Sequence, residues 1–311
     1  MHDAVLSAAD RHDLHDASAV TDLFEDAAEA YRADPRRTGA RIDLDADAAD
    51  TVIVAGDLHD HRVNLRRLAK LAKLGDADAR TVLVLQELIH GPSRVNNCDL
   101  SVRTLALAAA LKLDEPARVY QLLSNHELSQ ALGQDIMKGG MSTCACFDDG
   151  LAFLYGDDAE TVAEAARAYV LSLPLAVRVA GPAEGEGVMC AHSLPSPRRV
   201  EAFDPAKLAT EPDELAVMRG GWAYDMVWGR HHDDATCDRL AEAWGVSAFV
   251  LGHQPADMGV ERLANRALIV NSDHEHARAV RIKLGKPFDL DKAEIMAAAL
   301  NAVTLDDPSS T

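Results

Sequence analysis

The feature that most constrains this chain is a set of short apolar segments, each followed directly by side chains that can bind a metal ion. The first is Val52–His61 (VIVAGDLHDH), in which four apolar residues form a buried strand and Gly56 ends it. Four further apolar segments have the same arrangement, and the polar residues that follow them are Glu87 and His90, Asn125 and His126, His192, and His253. In an open α/β sheet, ligands bind beyond the carboxyl ends of the strands. The pattern therefore predicts one site built from the ends of several strands.

The donor atoms at these positions suit a divalent metal ion. Asp57 and His59 lie two residues apart, so a carboxylate oxygen and an imidazole nitrogen can close on one ion. One such stretch alone is equally consistent with a polar turn that carries surface histidines. Its recurrence after five apolar segments favours a metal site.

Five motifs along the chain resemble those of a known enzyme family. They are GDLH at Gly56–His59, NHE at Asn125–Glu127, CAHSLPSP at Cys190–Pro197, VWGR at Val227–Arg230 and GHQP at Gly252–Pro255. In kind and order they are similar to the motifs of the calcineurin-like metallophosphoesterases. Within that superfamily, the chain resembles the bacterial relatives of Ser/Thr protein phosphatases. The resemblance covers residues 51–284, most of the chain.

The resemblance implies a fold and a set of site residues. The fold is α/β, the two-sheet metallophosphoesterase sandwich (αββα) with helices outside both sheets. Two divalent metal ions would activate a hydroxide. Asp57 and His59 would hold the first ion, Asn125, His192 and His253 would hold the second, and Glu87 would be shared between them. His126 would be the general acid that protonates the leaving oxygen. Arg230 would hold the substrate phosphate. Arg94 matches no family motif, but from the loop after His90 it would add a second contact.

One motif departs from the family pattern. Where the family has G-D-x-x-D-R-G, this chain has QELIHGP at Gln86–Pro92. Glu87 replaces the metal-bridging aspartate, and its side chain is one methylene longer, so bridging would require an adjustment of backbone or rotamer. His90 replaces the aspartate that orients the catalytic histidine, and the arginine that follows is lost. Two candidates for orienting His126 are Asp60 and Glu127.

The expected activity is hydrolysis of phosphomonoesters by a metal-dependent phosphoesterase. Its substrate would be a phosphoprotein or a small phosphorylated molecule. Mn²⁺ is the first expectation for the two ions, and Fe, Zn²⁺ or Ni²⁺ also suits a mixture of His, carboxylate and Asn ligands. Two alternatives stay open. One is a pyrophosphohydrolase of the diadenosine-polyphosphate type, and the other is a catalytically impaired, metal-binding regulatory relative, which the altered QELIHGP motif favours.

Charge narrows the classes of partner. The chain has 31 Lys and Arg against 50 Asp and Glu, a formal net charge of −19. Such a field repels nucleic acid and anionic membranes, so neither is an expected partner. No apolar run approaches the length of a membrane span, and the first residues lack the basic and apolar regions of a signal peptide. These features predict a cytoplasmic protein.

The remaining pattern predicts the organisation of the chain. Residues 1–48 are expected to form an N-terminal helical extension, and residues 49–311 the metallophosphoesterase domain. Alternation of strands and helices from Val52 onward predicts parallel strand pairing. Further expectations are a loop over 138–150, a cap over the site at about 198–226, a meander of strands over 260–284 and a terminal helix over 288–303.

Overall fold

Two β-sheets and the helices around them make up the fold. The computed structural model describes residues 3–92 and 94–305, so the outer ends of both predicted domains lie outside the described residues. The helices are α1 Ala4–Arg11, α2 Ala17–Arg32, α3 Arg62–Leu71, α4 Val102–Asp114, α5 Asn125–Leu132, α6 Thr143–Tyr155, α7 Ala159–Val170, α8 Glu214–Val217, α9 Trp222–Trp228, α10 Asp234–Trp244 and α11 Leu290–Ile295. The strands are β1 Arg37–Thr38, β2 Arg41–Leu44, β3 Thr51–Asp57, β4 Thr81–Gln86, β5 Val119–Gln121, β6 Met137–Lys138, β7 Met141–Ser142, β8 Ala176–Val179, β9 Gly187–Ala191, β10 Val246–Leu251, β11 Val260–Ala264, β12 Ala267–Val270, β13 Arg278–Lys283 and β14 Ala298–Ala299. Among the described residues, no helix combines the length and the apolar character needed to cross a membrane.

The smaller sheet has the strand order β14-β13-β3-β4-β5. β3, β4 and β5 run parallel to one another, and β13 lies antiparallel to β3. The three parallel strands are almost entirely buried, as expected for strands whose faces are both covered. α3 and α4 connect them, and α3 buries Leu65 and Leu68. The predicted alternation of strands and helices is confirmed here.

The larger sheet has the strand order β1-β2-β8-β9-β10-β12-β11. β9, β10 and β12 run parallel, while β8 and β11 are antiparallel to their neighbours β9 and β12. With helices around the two sheets, the architecture is the predicted α/β sandwich.

The two sheets approach each other where β3 and β12 end. A Cβ atom on Gly56 would lie 1.7 Å from the carbonyl oxygen of Val270, so the close approach requires glycine at this position. The Gly56 N–H also donates to Ser272 Oγ at 3.0 Å. Asp57 and Asn271 form an isolated parallel bridge directly beyond the two strands. The carboxyl ends of strands from both sheets therefore lie side by side.

Three segments differ from the sequence-based expectations. Residues 138–150 are not a loop, because the β6–β7 hairpin leads into α6, whose first turn is capped by Ser142 Oγ accepting from the Ala145 N–H at 2.9 Å. The strands over 260–284 divide between the sheets, with β11 and β12 in the larger sheet and β13 in the smaller one. The terminal helix is only Leu290–Ile295, since β14 follows and pairs with β13.

Residues 3–48 contribute to the larger sheet and to the helices beside it. β2 pairs in parallel with β8, and α2 packs against α4 and α7. Phe24 and Tyr31 of α2 lie with their ring centroids 5.4 Å and 6.0 Å from that of Tyr169 on α7. Two strands of the larger sheet thus precede residue 48, where the sequence predicts a domain boundary.

A buried ion pair joins this N-terminal segment to α4. The Lys112 side chain is 0% exposed, and its Nζ atom lies 3.1 Å from Asp34 Oδ2. The ammonium also lies 4.6 Å and 4.2 Å from the ring centroids of Tyr31 and Tyr120. Burial lowers the pKa of Lys112, and the charge of Asp34 opposes that effect. Loss of either charge would therefore leave the other one buried without a partner of opposite charge.

We expect removal of one partner of this pair to destabilise the fold strongly. Asp34→Ala should lower the free energy of unfolding by about 3–5 kcal/mol, because it leaves the Lys112 ammonium buried without a counter-charge. Adding Lys112→Met should recover much of that loss, since it removes the charge and keeps the apolar stem. Urea unfolding of the variants measures both effects.

The matched control is the exposed pair between Arg80 and Asp50, whose side chains are 50% and 71% exposed. Asp50→Ala should cost less than about 1 kcal/mol, as is usual for surface ion pairs. Equal losses in the Asp34 and Asp50 variants would contradict the structural role of the buried pair.

Candidate metal centre

Strand ends of the two sheets surround one cleft of about 550 Å³. The predicted site residues that line it are Asp57, His59, Glu87, Asn125, His126, Arg230 and His253. His192 is fully buried next to Glu87. Four of the five predicted strand ends thus line a single cavity, and the fifth, which carries His192, is buried beside Glu87.

Several of the residues at these strand ends have an unusual backbone conformation. The φ angles of His59, Glu87, His90 and His253 are 42°, 41°, 60° and 66°, in the left-handed region that favours glycine. Such residues cost on the order of 1 kcal/mol each and persist only where their surroundings enforce them. The Glu87 carbonyl oxygen accepts hydrogen bonds from the N–H groups of Leu58 and His59, both at 2.9 Å. The loops after β3 and β4 therefore hold each other in place.

Glu87 lies between two groups of potential ligand atoms. Its Oε1 atom is 3.0 Å from His59 Nε2 and 3.6 Å from His126 Nε2. Its Oε2 atom is 2.9 Å from His192 Nε2. The side chains fall into two sets that could each hold a metal ion, His59, Glu87 and His126 in one and Glu87, His192 and His253 in the other. Glu87 belongs to both.

Asn125 completes the second of these groups. Its Oδ1 atom lies 2.8 Å from His192 Nε2 and 2.8 Å from His253 Nδ1. The buried Nε2 atom of His253 has no hydrogen-bond partner among the described residues. Asn125, His192, His253 and Glu87 are the four residues that the sequence analysis assigns to one ion, and their donor atoms converge. Nitrogen and oxygen donors of this kind fit a divalent transition metal.

Two contacts orient the histidines of the second group. Gln86 Nε2 donates to the Ala55 carbonyl oxygen at 2.9 Å, which leaves Gln86 Oε1 facing His192 Nδ1 at 3.3 Å. His192 Nε2 is therefore free to face Glu87 and Asn125. The Asp57 carboxylate accepts the backbone N–H of His253 at 3.0 Å and 3.1 Å.

The pKa values reflect buried acidic groups among imidazoles. Burial, and then the charge of Glu87, raises the pKa of Asp57 to about 6. Burial also acts to raise the pKa of Glu87, but the charges of the three surrounding histidines outweigh it, and the pKa is well below its usual value. Burial lowers the pKa of His253, again well below the usual value. These directions favour an ionised Glu87 and a neutral His253, as metal binding requires. Burial acts to lower the pKa of His192, but the charge of Glu87 outweighs it and raises that pKa, so a metal ion would displace a proton from His192.

His126 pairs with a second histidine. His90 Nδ1 lies 3.0 Å from His126 Nδ1, and His90 Nε2 lies 3.0 Å from Gln130 Oε1. Gln130 Nε2 in turn donates to Asp148 Oδ1 at 2.9 Å. His90, which the sequence aligns with the family's orienting aspartate, therefore contacts the imidazole of His126.

The two groups named from the sequence for orienting His126 make their hydrogen bonds elsewhere, which corrects that expectation. Asp60 accepts from the Thr104 hydroxyl. Glu127 accepts from the Leu88 N–H at 2.6 Å and from the Ser124 hydroxyl. Burial, and then the charge of Glu87, raises the pKa of Glu127 to about 7.

The two predicted phosphate-binding arginines have different environments. Arg230 is exposed and lines the cleft, and within the described chain its guanidinium makes no hydrogen bond or ion pair. Arg94 does not line the cleft. Its Nη1 atom lies 2.9 Å from Cys146 Sγ and 3.4 Å from Met141 Sδ, because α6 occupies the space where a loop was expected. Arg94 is therefore not placed to contact a phosphate beside Arg230.

The outer wall of the cleft is acidic. Asp257, Asp273 and Glu275 line it together with His274 and His276. None of the described residues of 198–226, where a cap was expected, is among the lining residues. The part of that segment around Leu208 packs at the far edge of the larger sheet, where the Ala40 N–H donates to the Leu208 carbonyl oxygen at 3.1 Å. Its end lies closer to the site, since the Met226 carbonyl oxygen accepts the Ser193 N–H at 3.1 Å.

Some functional contacts were missed in the sequence analysis. Gln86 carries a local signal, as a polar side chain at the end of an apolar strand directly before Glu87. Gln130 and Asp148 carry none, because they lie on α5 and α6 and reach His90 only through the tertiary fold. The acidic wall comes from loops without a motif.

Solved structures provide an independent comparison, whereas no protein-family model and no curated protein matches the sequence. A protein serine/threonine phosphatase from Saccharomyces cerevisiae is 15% identical, with a TM-score of 0.61 over 88% of this chain and 86% of that one. A cold-active protein-tyrosine phosphatase of the psychrophile Shewanella sp. is 12% identical, with a TM-score of 0.50 over 82% and 79% of the two chains. A mutant of a cold-active protein tyrosine phosphatase is 13% identical, with a TM-score of 0.54 over the same shares.

At these identities the comparison shows similarity of fold alone. That fold is consistent with the one that the motifs of the chain predict. The chain therefore has the fold of these phosphatase structures, with the two sheets that the sequence predicts.

Proposed function

We propose that this protein is a metal-dependent phosphoesterase that hydrolyses phosphomonoesters with the help of two divalent metal ions. The observation that carries the proposal is the position of Glu87, whose two carboxylate oxygens face two different groups of ligand atoms. A carboxylate shared between adjacent ions suits an in-line displacement at phosphorus, in which both attacking and leaving oxygens are stabilised.

The residues of each group define what each ion would contact. The first ion would be held by His59 and Glu87 of the first group, with Asp57 added from the GDLH motif in place of His126, which is proposed below as the acid. The second ion would be held by Glu87, Asn125, His192 and His253. Mn²⁺ is our first expectation, and Fe, Zn²⁺ and Ni²⁺ suit the same donors. When bound, the ions would lower the pKa of water and neutralise charge on the phosphate oxygens.

Two side chains of the cleft would act on the substrate itself. The Arg230 guanidinium has no partner in the described chain and would bind two non-bridging phosphate oxygens. His126 lines the same cleft and would give the proton of its Nε2 atom to the leaving oxygen. Arg230 is the one arginine or lysine among the described residues that line the cleft.

The acidic wall supports a substrate class. Asp257, Asp273 and Glu275 would repel a second phosphate beyond the one that the metal centre binds. The proposed substrate is therefore a phosphomonoester, on a protein or a small molecule, whose other part is neutral or cationic. A diadenosine-polyphosphate-type substrate is disfavoured because its chain of phosphates would face this wall.

The net charge of −19 argues against nucleic acid and anionic membranes as partners. A cytoplasmic location stays a prediction from the sequence.

Metal removal tests the proposal directly. Protein stripped with a chelator should not hydrolyse p-nitrophenyl phosphate, and added Mn²⁺ should restore turnover, because the proposed chemistry needs the ions. Elemental analysis of the untreated protein should find about two ions per chain. Two bound ions without turnover would instead support the regulatory relative, and no bound metal would refute the site.

Single substitutions separate the ligands from the proposed acid. His253→Ala should lose bound metal, because it removes a donor from the second group. His126→Ala should keep both ions and lower kcat for phenyl phosphate, whose basic leaving group needs a proton, by about 10²-fold, near the lower end of what general acids contribute. Metal content and kcat of each variant are compared with those of His15→Ala, a change at an exposed histidine of the N-terminal segment. Loss of one ion from the His126 variant would identify His126 as a ligand of the first ion.

Peptide charge tests the role of the acidic wall. Phosphopeptides with Lys and Arg around the phosphorylated residue should have a kcat/KM about tenfold higher at low salt than peptides with Asp and Glu, because opposite charges attract across the cleft. The ratio should fall as ionic strength rises.

The double variant Asp273→Asn, Glu275→Gln should reduce this ratio, and the control Asp157→Asn, Glu184→Gln should not. Both remove two negative charges, but Asp157 and Glu184 are exposed residues away from the cleft lining. A ratio that both double variants change equally would show an effect of net charge and not of the wall.

A further inference from the structure

We infer that His90 is a positioning residue, a neutral imidazole that replaces the family's carboxylate and holds His126 in the tautomer with its proton on Nδ1. The inference rests on the proposed function, because it concerns the group proposed there as the acid. It adds a chain of contacts that runs from Asp148 through Gln130 and His90 to His126. The family motif contains no counterpart of these contacts.

The direction of each hydrogen bond can be worked out from Asp148, the exposed residue at one end of this chain of contacts. Asp148 Oδ1 can only accept, so the Gln130 atom 2.9 Å away is the amide nitrogen. Gln130 Oε1 then faces His90 Nε2 at 3.0 Å, and that nitrogen must carry a hydrogen. A neutral His90 is left with a lone pair on Nδ1, which accepts the Nδ1–H of His126 at 3.0 Å. The Nε2 atom of His126 lies on the other side of its ring, 3.6 Å from Glu87 Oε1.

This arrangement matches the product of proton transfer. The protonated His126 ring gives its Nε2 proton to the leaving oxygen as the phosphorus–oxygen bond breaks, and it keeps the proton on Nδ1. The neutral ring that results carries its proton on Nδ1, and this is the N–H group whose hydrogen bond His90 Nδ1 accepts. His90 therefore orients the acid without adding a negative charge beside the carboxylates of Asp57 and Glu87.

The surroundings of His90 fix its ring. The residue is 1% exposed, and its backbone has a φ of 60°. Its N–H donates to Ser101 Oγ at 3.1 Å, and its ring meets Phe147 edge-on with centroids 5.8 Å apart. Hydrogen bonds at both ring nitrogens and packing against one edge leave little freedom to rotate. A ring held in this way can define the orientation of its neighbour.

Two substitutions at the same position distinguish a positioning role from a merely structural one. In His90→Asn the Oδ1 atom takes the place of Nδ1 as an acceptor, and asparagine tolerates the left-handed backbone. In His90→Leu the bulk remains and the acceptor is lost. Thermal unfolding and metal content of both variants establish that the fold and the ligand sites persist.

The kinetic test uses leaving groups of different basicity. Phenol needs protonation as it leaves, whereas p-nitrophenol leaves readily without it. His90→Leu should lower kcat for phenyl phosphate at least about tenfold more than for p-nitrophenyl phosphate, a share of the 10²–10⁴ that a general acid contributes. KM should stay the same, and His90→Asn should recover the loss on phenyl phosphate. Equal losses on both substrates, or no recovery with Asn in a folded, metal-loaded protein, would overturn the inference.

A second measurement does not depend on turnover. Long-range ¹H–¹⁵N spectra of the metal-free full chain, assigned with His126→Ala and His90→Asn, report which nitrogen of each ring carries the proton. We expect His126 as the Nδ1–H tautomer in the unaltered protein and in His90→Asn, and a mixture of tautomers in His90→Leu. Gln130→Met should likewise produce a mixture, because it frees His90 to exchange its own tautomer.

An Nε2–H tautomer of His126 in the unaltered protein, or spectra that His90→Leu leaves unchanged, would refute the role of His90. If the unaltered protein has the expected tautomer but lacks metal-dependent turnover, the proposed function fails while the role of His90 in orienting the ring stands.

Discussion

The Glu87 carboxylate is the interaction on which the candidate site depends. Its oxygens lie within 3.0 Å of histidines that follow strands of different sheets, His59 after β3 and His192 after β9. Its side chain is one methylene longer than the aspartate of the family motif, and its backbone has a left-handed φ of 41°. The strain is balanced by the hydrogen bonds that the loops after β3 and β4 make with each other.

Much of the fold and most of the residues at the candidate metal centre could be predicted, because both depend on local patterns. An apolar strand followed by a donor residue is a short-range signal, and it placed Asp57, Asn125 and His253 at one cleft. The division of β12 and β13 between two sheets could not be predicted in the same way, since it depends on pairing between β3 and β13, which are far apart in sequence. A local meander was the simpler interpretation of those strands.

The partners of individual side chains were harder to predict than the positions of the strands. Arg94 lies in the loop after His90, as expected, but the direction of its side chain depends on contacts with α6. That helix was hard to predict because residues 138–150 are rich in glycine and cysteine. His90 was placed correctly in the motif but without a role, because a histidine alone does not indicate its hydrogen-bond partner. Its contact with His126 depends on Gln130, which reaches it from α5. Buried polar groups are satisfied by whatever the tertiary fold brings near them.

The distribution of the second ligand group between the sheets has a consequence for folding. Glu87 and Asn125 follow strands of the smaller sheet, whereas His192 and His253 follow strands of the larger one. An ion held by all four would cross-link the two halves of the sandwich. Because such an ion binds the folded chain and not the unfolded one, the melting temperature would depend on free metal, with about 2.7 kcal/mol gained at a hundredfold excess over the dissociation constant. Chelation would then loosen the contact between the sheets as well as empty the cleft, and the protein's lifetime would be coupled to the supply of its metal.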